Sequence, residues 1–350
     1  MSDAVQLQQF KLELYPALAE LAKVVHLPIL FNRSFLDHYY LGQEWCRLFL
    51  AMESSKCIGI IGIDMLHFAT PTSRIKATFA TNFYSLQPGV GWMLWLKCLK
   101  LAEINVVFGG SQDTHRILRA RKYDYYSGVN LYRMNARFEG YKEDSAIKGM
   151  VKAGLRPFTR KRLPGYASKS FLRQFADIQV VEQTEFTEEM IEQASPFSFR
   201  LHPPLEYLRW RYNPRLDYVR YRIFQFFRSG QSIGFCVLNH GMNESMVVYA
   251  DGNNPGLLAA GILKAIFLTG EEGDKNRKVT LASSHPAMQA LFVQEGFRLA
   301  EENYPFASGG LKDAKNLGDP GTWLLSFGMG DNDLRTNMFW PAATNQRGTN

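Results

Sequence analysis

The sequence predicts a mixed α/β (α+β) chain built as two tandem copies of one unit, each a mostly antiparallel central sheet flanked by helices. Three observations carry this prediction. Residues 46–68 read CRLFLAMESSKCIGIIGIDMLHF, two apolar runs split by Ser54-Ser55-Lys56, and residues 219–238 repeat the hairpin as VRYRIFQFFRSGQSIGFCVL around Ser229-Gly230-Gln231. Self-similarity on that scale implies related domains. Both second strands carry Ile-Gly near their start, Ile58-Gly59 and Ile233-Gly234. With 350 residues and 46% apolar content, the chain exceeds the ~100–200 residues of one ordinary domain and can fill two cores.

The first copy opens with a helical segment over 10–25, an aromatic stretch over 31–40 and strands near 46–53, 57–68 and 74–86. The third strand, RIKATFATNFYSL, alternates and is rich in aromatics and threonine, as a half-buried strand should be. The turn Gln87-Pro88-Gly89-Val90-Gly91 feeds an apolar helix, WMLWLKCLKLA, followed by a buried strand at 104–110, a helix through 113–121 and paired strands within 124–140. The second copy runs in the same order. It has a strand IQVVEQTEF, a helix TEEMIEQA, an aromatic-basic helix at 205–212 and strands at 218–228, 232–240 and 244–251. Asn254 before Pro255 opens the helix LLAAGILKAIFL, because asparagine caps orphan amides and proline suits the first helical position. A strand KVTLAS, a helix PAMQALFVQEGF and closing strands around 300–307 and 322–328 complete the copy. The expected boundaries are 1–142 for the first domain, 143–175 for a basic connector, 176–335 for the second domain and 336–350 for a disordered tail.

Net charge of +7 and a pI near 9.1 suit an anionic partner without choosing among a phosphorylated cofactor, a membrane surface or nucleic acid. Much of the excess lies in residues 148–173, which read either as a solvated connector or as a contact for an anionic surface. The four cysteines, Cys46, Cys57, Cys98 and Cys236, lack metal or disulfide spacing and are expected to be reduced core residues. The N-terminus has early acidic residues and no secretory pattern, and no apolar run approaches a membrane span, so a cytoplasmic location is expected. No dedicated nucleic-acid module and no metal cluster stand out. The oligomeric state is not encoded in any motif.

A hairpin meander, a turn into a long helix, a short strand, and a helix ending in Gly-Phe before a last strand pair together resemble the GNAT superfamily of N-acyltransferases, twice over. The most specific pieces are SSHPAMQALFVQEGFRLAEE at 283–302 and the PGVG turn at 88–91. The run Leu208-Arg209-Trp210-Arg211-Tyr212 and the ending from Trp323 to Asp331-Asn332-Asp333 resemble a bacterial branch of tandem GNAT proteins linked to polysaccharide or cell-envelope biosynthesis. The resemblance implies acetyl-CoA or another acyl-CoA as co-substrate. It places the donor beside Ser85, Gln87, Gly89, Val90, Gly91, Trp92 and Ser111, with the pyrophosphate at the helix start, where free N–H groups and the helix dipole favour anions. The family's Gln/Arg position falls on Leu86, with Gln87 one place late. The tyrosine that protonates the leaving thiolate in many members falls on Leu118 and Phe292, and the asparagine of the fifth strand on Ser111 and His285.

Residue chemistry adds candidates. Acyl transfer to an amine needs a group that takes the amine's proton. Asp251 and Tyr249 alternate at the end of one strand, Glu206 sits on the preceding helix, and Tyr84 shares a strand face with Asn82. Asp64 and His67 lie on the neighbouring strand, and Asp37-His38-Tyr39-Tyr40 could line a cleft. Asp251-Gly252 is equally an ordinary turn signal. Arg209, Trp210 and Arg211 suit an anionic or sugar-bearing acceptor, or else anchor the domain through the indole while the arginines reach solvent, Glu206 or Asp217. The leading expectation is an N-acyltransferase acting on a small-molecule or sugar amine by direct attack in a ternary complex. Two alternatives stand: a non-catalytic acyl-CoA-binding scaffold, and a peptidyl-type transferase using aminoacyl-tRNA, whose phosphates the basic connector would contact.

Overall fold

A computed structural model describes residues 4–102, 104–135, 168–191, 194–241, 244–271, 278–310, 319–328 and 334. Apolar runs set the first meander: β1 (Gln6–Gln9), β2 (Cys46–Glu53), β3 (Lys56–Ala69) and β4 (Arg74–Ser85) pair antiparallel in that order. Between β1 and β2 lie α1 (Tyr15–Val24) and α2 (Arg33–Tyr40), the latter capped by Asn32, whose Oδ1 accepts from the Phe35 N–H at 2.9 Å. α3 (Pro88–Leu99) then carries the chain across the sheet to β5 (Ile104–Phe108), parallel to β4, as a parallel pair requires. α4 (Gln112–Ala120), β6 (Asp124–Tyr126) and β7 (Asn130–Asn135) follow.

The second half repeats the plan. After α5 (Lys169–Gln174) come β8 (Ile178–Gln183), α6 (Glu188–Ile191), β9 (Phe199–Leu201) and α7 (Leu205–Arg211). The meander β10 (Tyr221–Arg228), β11 (Gln231–His240), β12 (Glu244–Gly252) leads through α8 (Pro255–Glu271) to the parallel strand β13 (Lys278–Ser283). α9 (Pro286–Gln294), β14 (Arg298–Glu301), β15 (Phe306–Gly309) and β16 (Trp323–Leu324) close the described chain.

The two sheets trade strands. One runs β1-β2-β3-β4-β5-β15-β6 and the other β14-β7-β13-β12-β11-β10-β8. The sequence reading gives each copy its own closing pair. Instead β7 pairs with β13 from Asn130–Ser283 to Asn135–Lys278, and β15 sits between β5 and β6. Alternation identifies a strand and its buried face but not which copy supplies the neighbour.

Helices cover the outer sheet faces and the inner faces meet. On one side Val90, Leu94, Trp95 and Cys98 of α3 pack on Phe49, Ile61 and Ile63. On the other, Leu258, Ile262, Leu263 and Ile266 of α8 pack on Phe224, Phe226 and Leu238. The shared core between the halves contains Phe35, Tyr39, Leu50, Ile60 and Phe68 from the first and Tyr207, Tyr221, Phe235, Tyr249 and Trp323 from the second. β9, from the second half, joins the first sheet, pairing with β3 on one edge and β16 on the other. All four cysteines are buried and free. Residues 136–167, which hold most of the expected basic connector, and the expected tail at 336–350 lie outside the described residues. Among the described residues no helix is long and apolar enough to cross a membrane.

Candidate active site

The parallel pairing of β4 with β5 covers only Ala77–Ile104, Thr78–Asn105 and Phe79–Val106. β4 then runs on to Ser85 while β5 diverges, so a slot opens between the strands at the end where α3 begins. Within that stretch the register against β3 shifts between Ile60 and Gly62, which makes a bulge at Asn82. Asn82 takes φ of 43°, a left-handed conformation asparagine adopts more readily than most residues. Its Nδ2 donates to the Tyr40 hydroxyl oxygen at 2.9 Å, and that oxygen lies 3.5 Å from Thr81 Oγ1. Asn82 is 1% exposed, and its buried Oδ1 has no hydrogen-bond partner among the described residues. A buried acceptor left unpaired costs about 1–3 kcal/mol, a cost that a bound donor group removes.

Beyond Tyr84, which is half-buried against the shared core, the chain turns through Ser85. The Ser85 hydroxyl donates to the Gln87 carbonyl and accepts from the Gln87 N–H at 3.2 Å. The Val90 and Gly91 N–H groups both donate back to the Gln87 carbonyl, at 3.2 and 3.3 Å. At Gly89 a Cβ would meet nothing within 4 Å, so the α3 start faces open space there. Trp92, one turn into α3, lies under the Arg121 guanidinium, 3.9 Å from ring centroid to Cζ. The turn thus combines an exposed helix start with a nearby cation. Ser111, the other expected donor contact, caps α4: its Oγ accepts from the Thr114 N–H at 3.2 Å and lies 3.0 Å from Thr114 Oγ1.

The second-half candidates are placed differently. Asp251 is buried in an ion pair with Arg200; its Oδ1 also accepts from Ser195 Oγ at 3.1 Å and from the Gly252 N–H at 2.8 Å. Burial pushes this carboxyl up to about 6, while Arg200, the Gly252 N–H and the Ser195 hydroxyl each pull it down. Tyr249 stacks on Tyr212 at 5.8 Å and donates to the Leu201 carbonyl at 3.2 Å; burial, then the Asp251 charge, holds its phenol well above the usual range. Glu206 is exposed on α7, outside this cluster.

The aromatic-basic run on α7 turns inward. Trp210 stacks on His38 at 5.4 Å, and the two exchange hydrogen bonds: indole N–H to the His38 carbonyl at 3.2 Å, His38 Nε2–H to the Trp210 carbonyl at 3.1 Å. Arg211 is 2% exposed, hydrogen-bonded to the Tyr221 hydroxyl and 5.4 Å from the Tyr39 ring centroid. Arg209 donates through Nε to the Phe186 carbonyl at 2.9 Å and lies 3.9 Å from Glu185, not from Glu206 or Asp217. The run joins the halves because its indole and one guanidinium find aromatic partners on α2 and β10.

Among the strand candidates, Asp64 is fully buried and accepts from the Tyr39 hydroxyl at 2.7 Å. Sequence reasoning did not reach Tyr40 as the partner of Asn82, Arg121 over Trp92, or Arg200 and Ser195 around Asp251. Each is a contact between residues far apart in sequence or on different elements, without a local signature.

No family model matches the chain, and no curated protein matches it in sequence. Solved structures do match its fold. A GCN5-related N-acetyltransferase from Anabaena variabilis superposes with a TM-score of 0.55 at 10% identity, covering 87% of this chain and 72% of that one. A tandem GNAT protein from the clavulanic acid biosynthesis pathway gives 0.53 at 11% identity, over 87% of this chain and 98% of its own. A probable N-acyltransferase from Enterococcus faecalis gives 0.52 at 10% identity, over 87% and 72%. The chain has the tandem GNAT fold, two such units in one polypeptide with their closing strands exchanged.

Proposed function

We propose that the protein is an acyl-CoA-dependent N-acyltransferase whose donor slot lies in the first half. The observation that carries the reading is the separation of β4 from β5 at the start of α3, with the Asn82 bulge at its wall. The residues fit a donor of this kind. Gly89 leaves room for close approach of a phosphate to backbone, Arg121 adds positive charge beside Trp92, and Asn82 Oδ1 offers a buried acceptor for an amide N–H.

The donor supplies an activated thioester: the acceptor nitrogen forms a C–N bond at the carbonyl carbon as the C–S bond breaks, and the amine proton ends on the departing thiolate. This chain's part is to hold both partners in line, which alone supplies a large share of the rate when reacting atoms are well oriented. Tyr84, two residues past the Asn82 bulge, is the proposed proton carrier. A sugar amine or small envelope precursor is the proposed acceptor.

Leu118 and Phe292 favour a second reading. Both are buried apolar side chains where the resemblance calls for an acid, as a non-catalytic acyl-CoA-binding protein would have them. Thiol release from acetyl-CoA, followed colorimetrically over a panel of amino sugars, amino acids and polyamines, separates the two. Amine-dependent release that falls in Tyr84→Phe supports the transferase; tight acetyl-CoA binding with no release for any amine supports the binding protein.

A further inference from the structure

β12 and β13 repeat the geometry of β4 and β5. Their parallel pairing runs from Glu244–Lys278 to Met246–Thr280 and stops, while β12 continues to Gly252. A register shift against β11 leaves Val248 as the extra residue of a bulge. The second half therefore has its own splay, with α8 starting at its end.

That splay is filled by the chain itself. Ser284, just past β13, donates its hydroxyl to the Trp323 carbonyl at 2.8 Å. Five residues on, the Gly328 N–H donates to the carbonyl of Val248, at the bulge of β12. The segment Trp323–Gly328 thus reaches from the end of one splayed strand to the middle of the other. Its side chains are built in: Leu324 joins the α8 core, while Trp323, Leu325 and Phe327 join the shared core. Its backbone fits closely. A Cβ on Gly328 would lie 2.0 Å from the Tyr212 hydroxyl oxygen and 2.5 Å from the Val248 carbonyl oxygen, so a larger residue forces the segment away. β16 pairs with β9, and Arg200 of β9 is ion-paired to Asp251 at the end of β12. At the start of α8, Asn254 Oδ1 accepts from the Leu257 N–H at 3.0 Å and the Asn254 carbonyl from the Leu258 N–H at 2.9 Å.

We propose that Trp323–Gly328 is a built-in segment standing where a donor's extended arm would lie in the second half, so that acyl-CoA binds the first half alone, one per chain. The donor class rests on the reading above; the filled slot does not. The second half then serves as a supporting wall, joined to the first by β9 and the exchanged strands.

Two measurements on the full chain test this. Calorimetric titration with acetyl-CoA is expected to give one site per chain, and two sites would overturn the proposal. Hydrogen exchange on the donor-free protein is expected to show the Gly328 amide protected to within about tenfold of the β12 amides. Exchange at the rate of an unstructured peptide would overturn the built-in segment whatever binds. Gly328→Leu is expected to abolish that protection and keep one-to-one binding; should it fail to fold, Ser284→Ala, which removes only one tether, is expected to speed exchange at Leu324 and Leu325. If no acetyl-CoA binds any form, the donor assignment fails and the exchange result decides the built-in segment by itself.

Discussion

Replacing Asp251 with alanine is expected to cost about 3–5 kcal/mol of folding stability, as removal of one member of a buried ion pair does. The structure supports that range. Arg200 is 9% exposed and Asp251 7%, so a lone guanidinium would lose its counter-ion without regaining water. Its other partner is His202 Nδ1 at 2.8 Å, which accepts one N–H but brings no charge while neutral. The Ser195 hydroxyl and the Gly252 N–H lose their acceptor as well. Asp251→Asn keeps an oxygen for those two donors and should cost less. The double variant Arg200→Met with Asp251→Leu removes both desolvated charges and should regain most of the loss. Urea unfolding followed by far-UV circular dichroism, arranged as a double-mutant cycle, measures each quantity. An Asp251→Ala protein within about 1 kcal/mol of the parent, yet devoid of transferase activity, would refute the structural role and return Asp251 to the chemistry.

The same pair gives a pH signature. Asp251, pushed up to about 6, holds its proton more tightly folded than unfolded, so its contribution is complete below its ordinary value of 3.8 and is lost as pH rises through about 6. His202 works in the opposite sense. Burial, then Arg200 and Arg74, press it down to about 4, so its contribution is complete above 6.5 and is lost as pH falls through about 4. Asp251→Asn should therefore remove the opposing Asp251 slope and leave that of His202 together with those of His38, His67, His115 and His285, which burial also lowers, so its stability should fall more steeply than the parent's on acidification from pH 6.5 to 4. Trp210→Ala removes the stack on His38 and the indole N–H bond to the His38 carbonyl, while the backbone carbonyl that accepts from His38 stays in place. It should cost about 3 kcal/mol, read as a lowered urea midpoint with unchanged affinity for acetyl-CoA; unchanged stability with weakened acceptor binding would place the indole in the acceptor site instead.

Much of the fold was legible because its signals are local. The hairpins around Ser54-Ser55-Lys56 and Ser229-Gly230-Gln231 are apolar runs split by polar turns, and β2, β3, β10 and β11 stand within one to three residues of the expected limits. Asn254 caps α8 and Ser111 caps α4, both roles readable from residue type and position. The strand exchange was not legible, since Leu131, Tyr132 and Met134 would suit a sheet in either copy. The fate of Trp323–Gly328 was hidden for the same reason: an apolar run ending in glycine reads as a closing strand, and only the Val248 bulge shows where it lies. At the site, the glycines of the 88–91 turn were readable, whereas Arg200 meeting Asp251 depends on β9 joining the first-half sheet while the Arg200 side chain reaches β12 of the other.

The most direct test of the account is calorimetric binding of acetyl-CoA to Gly89→Val and Gly256→Val beside the parent. A side chain at Gly89 would point into open space, and one at Gly256 would come no closer than 3.4 Å to Asn254 Oδ1, so neither change disturbs the fold. The account predicts that Gly89→Val loses binding by at least about tenfold, roughly 1.4 kcal/mol, while Gly256→Val binds as the parent does. Loss confined to Gly256→Val, or a parent protein that binds no acetyl-CoA, would contradict it.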